Sequence, residues 1–97
     1  MQHTRIAFYD HVSGDYDDLA RTAETGMGAI LRAQPGFVSY SIGRDTDGTI
    51  VATNDWETRE QADQAMSKAA SWIRDNMADL VHLRHAHVVD FTFTVTP

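Results

Sequence analysis

The run Phe37-Val38-Ser39-Tyr40-Ser41-Ile42-Gly43, the connection Arg44-Asp45-Thr46-Asp47-Gly48 and the run Thr49-Ile50-Val51-Ala52-Thr53-Asn54-Asp55-Trp56 together decide the fold. Both outer runs are rich in β-branched and aromatic residues, and Asp47-Gly48 is turn-forming chemistry, so an antiparallel hairpin is predicted. On one side Pro35-Gly36 stops whatever helix precedes it. On the other, Thr58-Arg59-Glu60-Gln61 has the Thr-x-x-Gln form of a capping box, which starts a new one. The hairpin therefore lies between two helices.

Upstream, Tyr16, Leu19, Ala20, Ala23, Met27, Ile30 and Leu31 recur at steps of three and four, with Asp17, Asp18, Arg21, Glu24 and Arg32 in the complementary positions. This spacing predicts an amphipathic helix over residues 15–33, its acidic start and basic end suited to the helix dipole. Gly26 and Gly28 each cost about 1 kcal/mol against Ala inside a helix, so a close neighbour is expected there. Downstream, Ala62, Ala65, Met66, Ala69, Ile73, Met77, Leu80 and Val81 predict a helical region over 58–81, in one or two pieces. Thr4–Val12 reads as a first strand closed by the turn Ser13-Gly14-Asp15, and Leu83–Val95 as a long last one.

The order strand, helix, strand, strand, helix, strand is the ferredoxin-like α+β arrangement: a four-stranded antiparallel sheet with both helices on one face. The other face is left bare. A solvated face should alternate to polar residues, yet Phe37-Val38 and Val88-Val89 are apolar on both sides, and Ile6 and Phe8 oppose Ala7 and Tyr9. The bare face is expected to meet a second copy, giving a homodimer.

The 97 residues, 42% hydrophobic, fit one domain spanning 1–97. A net charge of -6 repels a phosphate backbone and an anionic lipid surface, so no nucleic-acid or membrane partner is expected. The absence of cysteine excludes disulfides, thiolate metal sites and a cysteine nucleophile. No apolar run reaches the roughly 18 residues of a membrane span, and the opening Met1-Gln2-His3-Thr4-Arg5 lacks a signal-like block, so a cytoplasmic protein is expected. There is no Gly-rich phosphate loop, Gly-x-Ser-x-Gly elbow or zinc signature.

Residues able to carry chemistry remain. His85 and His87 share one face of the last strand, where His11 or Tyr9 could join them around a metal; solvated or interface histidines are the simpler reading. Trp56 ends the second hairpin strand with Ala52 and Asn54 on its face, so the indole could stack on a flat ligand and the amide orient a carbonyl or hydroxyl; packing alone would also account for the tryptophan. Trp72 is read as core. Asp55, Glu57, Glu60 and Asp63 read as a solvated helix start, because an acid and base pair needs burial to separate its pKa values. Arg74 is either an inward-leaning anion anchor or a surface arginine.

The segments Gln34-Pro35-Gly36-Phe37-Val38, Asp47-Gly48 and Asn54-Asp55-Trp56-Glu57-Thr58-Arg59-Glu60-Gln61-Ala62 resemble the antibiotic biosynthesis monooxygenase family, a dimeric αβ-barrel group. The resemblance implies homodimers packed sheet against sheet, a pocket between sheet and helices, and, for some members, oxidation of aromatic polyketides or quinols without metal or flavin. Trp56 matches the family tryptophan. The polyketide-oxidising members carry an asparagine where this chain has Ala52, with Asn54 on the same face as a substitute, a tyrosine where it has Ala62 and a histidine where it has Ala65; Arg74 falls near a family arginine. The haem-degrading members pair a tryptophan with a histidine on the second helical region, and this chain has Trp72 but no histidine between His11 and His82. Two functions are implied. One is a cofactor-independent monooxygenase acting on a small phenol, quinol or polyketide-like substrate, with Asn54 and Trp56 orienting it and Arg74 stabilising a phenolate. The other is a noncatalytic dimeric binding or interaction module that has lost the polar pocket set.

Overall fold

A computed structural model describes residues 3–97, so that Met1 and Gln2 lie outside the described residues. The elements are β1 (His3–His11), α1 (Tyr16–Thr22), a π-helical turn (Ala23–Met27), α2 (Gly28–Arg32), β2 (Phe37–Arg44), β3 (Ile50–Trp56), α3 (Arg59–Asn76) and β4 (Val81–Asp90). The strands form one antiparallel sheet in the order β2-β3-β1-β4, the ferredoxin-like topology expected. No helix among the described residues is long and apolar enough to cross a membrane.

Local chemistry sets most boundaries. The Asp15 side chain accepts from the Asp18 amide at the start of α1, and Thr58 Oγ1 accepts from the Gln61 amide at 3.1 Å at the start of α3. The hairpin closes through Gly48, which donates to the Asp45 carbonyl at 3.0 Å with φ of 91°, a conformation glycine adopts without strain.

The first helical segment departs from the regular helix expected over 15–33. Its buried residues Leu19, Ala23, Met27 and Leu31 stand four apart. At about 100° per residue each such step overshoots a full turn by about 40°, so a pure α-helix would carry the last residue well off the stripe. The wider π turn absorbs that drift and keeps all four on the core.

The last helix and strand also end elsewhere than expected. α3 stops at Asn76, and the amides of Leu80 and Val81 turn back onto the Met77 carbonyl, so Val81 opens β4 instead of closing a helix. β4 ends at Asp90, which pairs with His3 of β1. Residues 91–97 continue past the sheet, with Phe93 78% and Val95 83% exposed.

Strand alternation divides the sheet cleanly. Ile50, Ala52, Asn54 and Trp56 point toward the helices and are buried. Beneath α3, Ala62, Ala65 and Ala69 pack with Trp56, Met27 and Leu31, the small side chains bringing the helix close. On the far face Ile6, Phe8 and Val51 remain half-buried, turned away from the helices.

Candidate functional site

Cross-strand register builds the helix-facing surface in rows. Tyr40, Asn54, Arg5 and Val88 form one row, and Ile42, Ala52, Ala7 and Ala86 the next. A third row holds Arg44, Ile50, Tyr9 and Leu83.

Two of the three expected site residues are brought together. Trp56 Nε1 donates to Asn54 Oδ1 at 2.6 Å, and both side chains are buried. The bond satisfies a polar pair in the core, and Phe37 meets the indole edge-to-face with ring centroids 5.6 Å apart. Arg74 is placed apart from them: its side chain is 73% exposed and lies 3.6 Å from Asp75. On a helix the position next to an inward Ile73 is turned by about 100°, which carries Arg74 toward solvent.

Three spaces surround the helix layer. An apolar cavity of about 40 Å³ lies over Ala52, bounded by Tyr9, Tyr40, Trp72, Ile73 and Met77. Burial, reinforced by the neighbouring Tyr9 and opposed by Arg5, pushes the Tyr40 phenol up to about 12, so it stays a neutral donor. A groove of about 360 Å³ runs between the π turn and β2, where Glu24 and Arg32 flank Phe37 and Tyr40. A third, of about 460 Å³, separates α3 from β1 and β4; its walls are Ala62, Met66, Ala70 and Val88, with Arg5 at its base and Asp63 and Ser67 beside it.

The histidines gather on the other face. His85 and His87 stand with ring centroids 5.2 Å apart, and Phe8 lies 4.7 Å from His85. Tyr9 alternates with Phe8 and lines the helix-side cavity, so it does not join them; the register shift opposite this pair leaves the extra residue, Arg84, on β4. Among the described residues no three His, Asp or Glu side chains are arranged to hold a metal ion. Of the carboxylates, Glu57, Glu60 and Asp63 are exposed as expected. Asp55 is not: it is half-buried on the open face and accepts from the hydroxyls of Thr4 and, at 2.8 Å, Ser39.

The model of the antibiotic biosynthesis monooxygenase family matches residues 3–71, from the first residue of β1 to well inside α3. The chain belongs to this family. Its fold is shared with SnoaB, a cofactor-independent oxygenase from Streptomyces nogalater, at 16% identity and a TM-score of 0.75 over 99% of this chain and 98% of that one. The ActVA-Orf6 monooxygenase of Streptomyces coelicolor, solved with nanaomycin D, superposes at 20% identity and a TM-score of 0.72, covering 97% and 91%. Rv0793 from Mycobacterium tuberculosis gives 16% and 0.68 over 99% and 100%. No curated protein matches the chain.

Within this family frame, two residues of the site were not singled out from the sequence. Tyr40 alternates with Ile42, and Arg5 with Ala7 and Tyr9, so the two-residue strand period carried the signal for both. An inward arginine on a central strand is the more informative of the two.

Proposed function

We propose that the protein oxidises a small phenol or quinol with molecular oxygen, without a resident cofactor, and does so as a homodimer. The observation that carries this reading is the family match, which includes every wall of the groove under α3 except Val88. Small-molecule sites span roughly 300–1,000 Å³, which the 460 Å³ groove meets. The 40 Å³ cavity falls short of the roughly 150 Å³ that accommodates benzene. The ring accordingly lies in the groove, where Ala62 in place of a tyrosine makes room.

In the reaction the phenol loses its proton, and the electron-rich ring carbon forms a bond to dioxygen. Cleavage of the oxygen–oxygen bond leaves one atom as a quinone carbonyl and releases the other as water, so phenol and oxygen give quinone and water. The protein's part is orientation of the ring against the apolar side chains of α3. Asn54 and Trp56 act from below: their mutual bond stiffens the strand row that carries Arg5 at the base of the groove, against which the ring is held. Support for an aromatic ligand comes from the S. coelicolor relative with nanaomycin D, and support for chemistry without a cofactor from the S. nogalater oxygenase.

The noncatalytic module is favoured by one observation, the alanines at positions 52, 62 and 65, which put no polar group over the sheet. Oxygen uptake across a panel of phenols and quinols separates the two. Uptake with quinone formation above the uncatalysed rate is expected; tight binding of the same compounds with no uptake would establish the module instead.

A further inference from the structure

We infer that Arg5 is the anion-recognising residue of the groove under α3, so that the molecule bound there is an aromatic carboxylate and not a neutral phenol alone. This rests on the reading of that groove as the aromatic site and names its substrate class.

Arg21, Arg59, Arg74 and Arg84 are paired with Asp18, Asp90, Asp75 and Asp10, and the Arg44 guanidinium lies 4.3 Å from the centre of the Tyr16 ring. Arg32 is exposed at the end of α2, where water and the helix dipole suffice for it. Arg5 has neither kind of support. It is half-buried on a central strand, level with buried Asn54, and among the described residues no carboxylate lies within ion-pair distance of it. Asp63 shares the groove without reaching it.

A guanidinium keeps its charge under any ordinary condition, and withdrawing one from water without a counterion is unfavourable. Its surroundings make a partner valuable: Ala62, Met66, Ala70 and Val88 offer no competing acceptor, and an apolar wall strengthens a charge-assisted bond. The planar fork matches a carboxylate through two parallel hydrogen bonds, while the ring attached to that carboxylate covers the methyl and thioether groups of α3. A free carboxylate therefore completes what the fold leaves open.

The test is a titration of the full chain with 2-naphthoate and with its neutral isostere 2-naphthamide, in the same buffer. The unaltered protein is expected to bind the carboxylate at least about tenfold more tightly. Arg5→Gln should bind the two alike, Arg5→Lys should keep part of the preference, and Arg32→Gln, with the same change of charge elsewhere, should keep all of it. Met66→Glu sets a rival carboxylate in the groove wall and should erase the preference with Arg5 intact, which covers the case of an Arg5 variant that does not fold. Equal affinities in the unaltered protein, or a preference that survives Arg5→Gln or Met66→Glu, overturns the assignment while leaving the groove an aromatic site. Binding of neither compound overturns the groove reading as well.

Discussion

The indole of Trp72 fills the space in which a side chain on Gly26 would lie: a Cβ there would stand 2.0 Å from Cζ2 and 2.5 Å from Cε2 of the ring. The glycine that costs the helix its propensity is thus what lets α3 and the π turn close over the cavity. Gly26→Ala is expected to lose about 1–3 kcal/mol by overpacking, despite alanine's better propensity. Trp72→Leu in the same chain should recover part of the loss. Urea unfolding of the single and double variants gives the coupling, and strictly additive effects would show that the contact carries none.

Trp56 is expected to behave first as core. Trp56→Ala should cost about 3–5 kcal/mol for the deleted aromatic volume. Trp56→Phe should cost about 1–3 kcal/mol, because it orphans Asn54 Oδ1 in a buried position. A Phe variant with the parent's unfolding midpoint and weakened aromatic binding would make the residue a pocket wall instead.

Alkaline titration tests the surroundings of Tyr40. Its phenol is raised from 10.0 to about 12, so the neutral form is preferred in the folded state. The stability this lends is fully present below the unfolded value near 10 and is lost as pH rises through about 12. Ultraviolet absorbance of phenolate formation should show one late-titrating tyrosine, absent from Tyr40→Phe. If that variant retains the late step, the phenol in question is another.

Two surfaces test the proposed dimer. Ile6, Phe8 and Val51 lie half-buried on the open sheet face, and Phe91, Phe93 and Val95 extend beyond it in alternation with threonines. Sedimentation at micromolar concentration is expected to give twice the chain mass, with an interface on the order of 2,000 Å² or more. Deleting residues 91–97 should raise the dimer dissociation constant at least about tenfold, less than the worth of one buried phenylalanine. A monodisperse monomer at full length would remove the homodimer from the proposal.

What could be read from the sequence was whatever is encoded locally. The hairpin from Phe37 to Trp56 and the cap at Thr58 depend on residues within a few positions of one another, and they fall where expected. The last residue of β4 is held by a pairing with His3, 87 positions away, and no composition near Phe91 reveals it. The site divides in the same way. Alternation places Asn54 and Trp56 on one face, but the bond between them exists only because the indole turns back along its own strand. Arg74 sits beside an inward Ile73, and sequence proximity is no guide to direction on a helix. Tyr40 and Arg5 were legible by the same alternation; what was invisible is that burial isolates one and that no acid reaches the other.

The π turn sets where the gene can change length. Loss of a single codon between Ala23 and Met27 would let the segment wind as an uninterrupted α-helix, locally a more regular structure. Leu19 and Leu31 would then stand one residue closer in sequence, and at about 100° per residue the interval comes within about 20° of three full turns, so both keep to the core stripe. A second loss has no extra residue left to give up and rotates Tyr16–Thr22 by about 100° against everything that follows, whereas the turn at Asp45–Gly48 lies between strands and transmits no such rotation. Lineages of this chain should accordingly vary in length at the hairpin tip and carry, between Asp15 and Arg32, either the present count or one residue fewer.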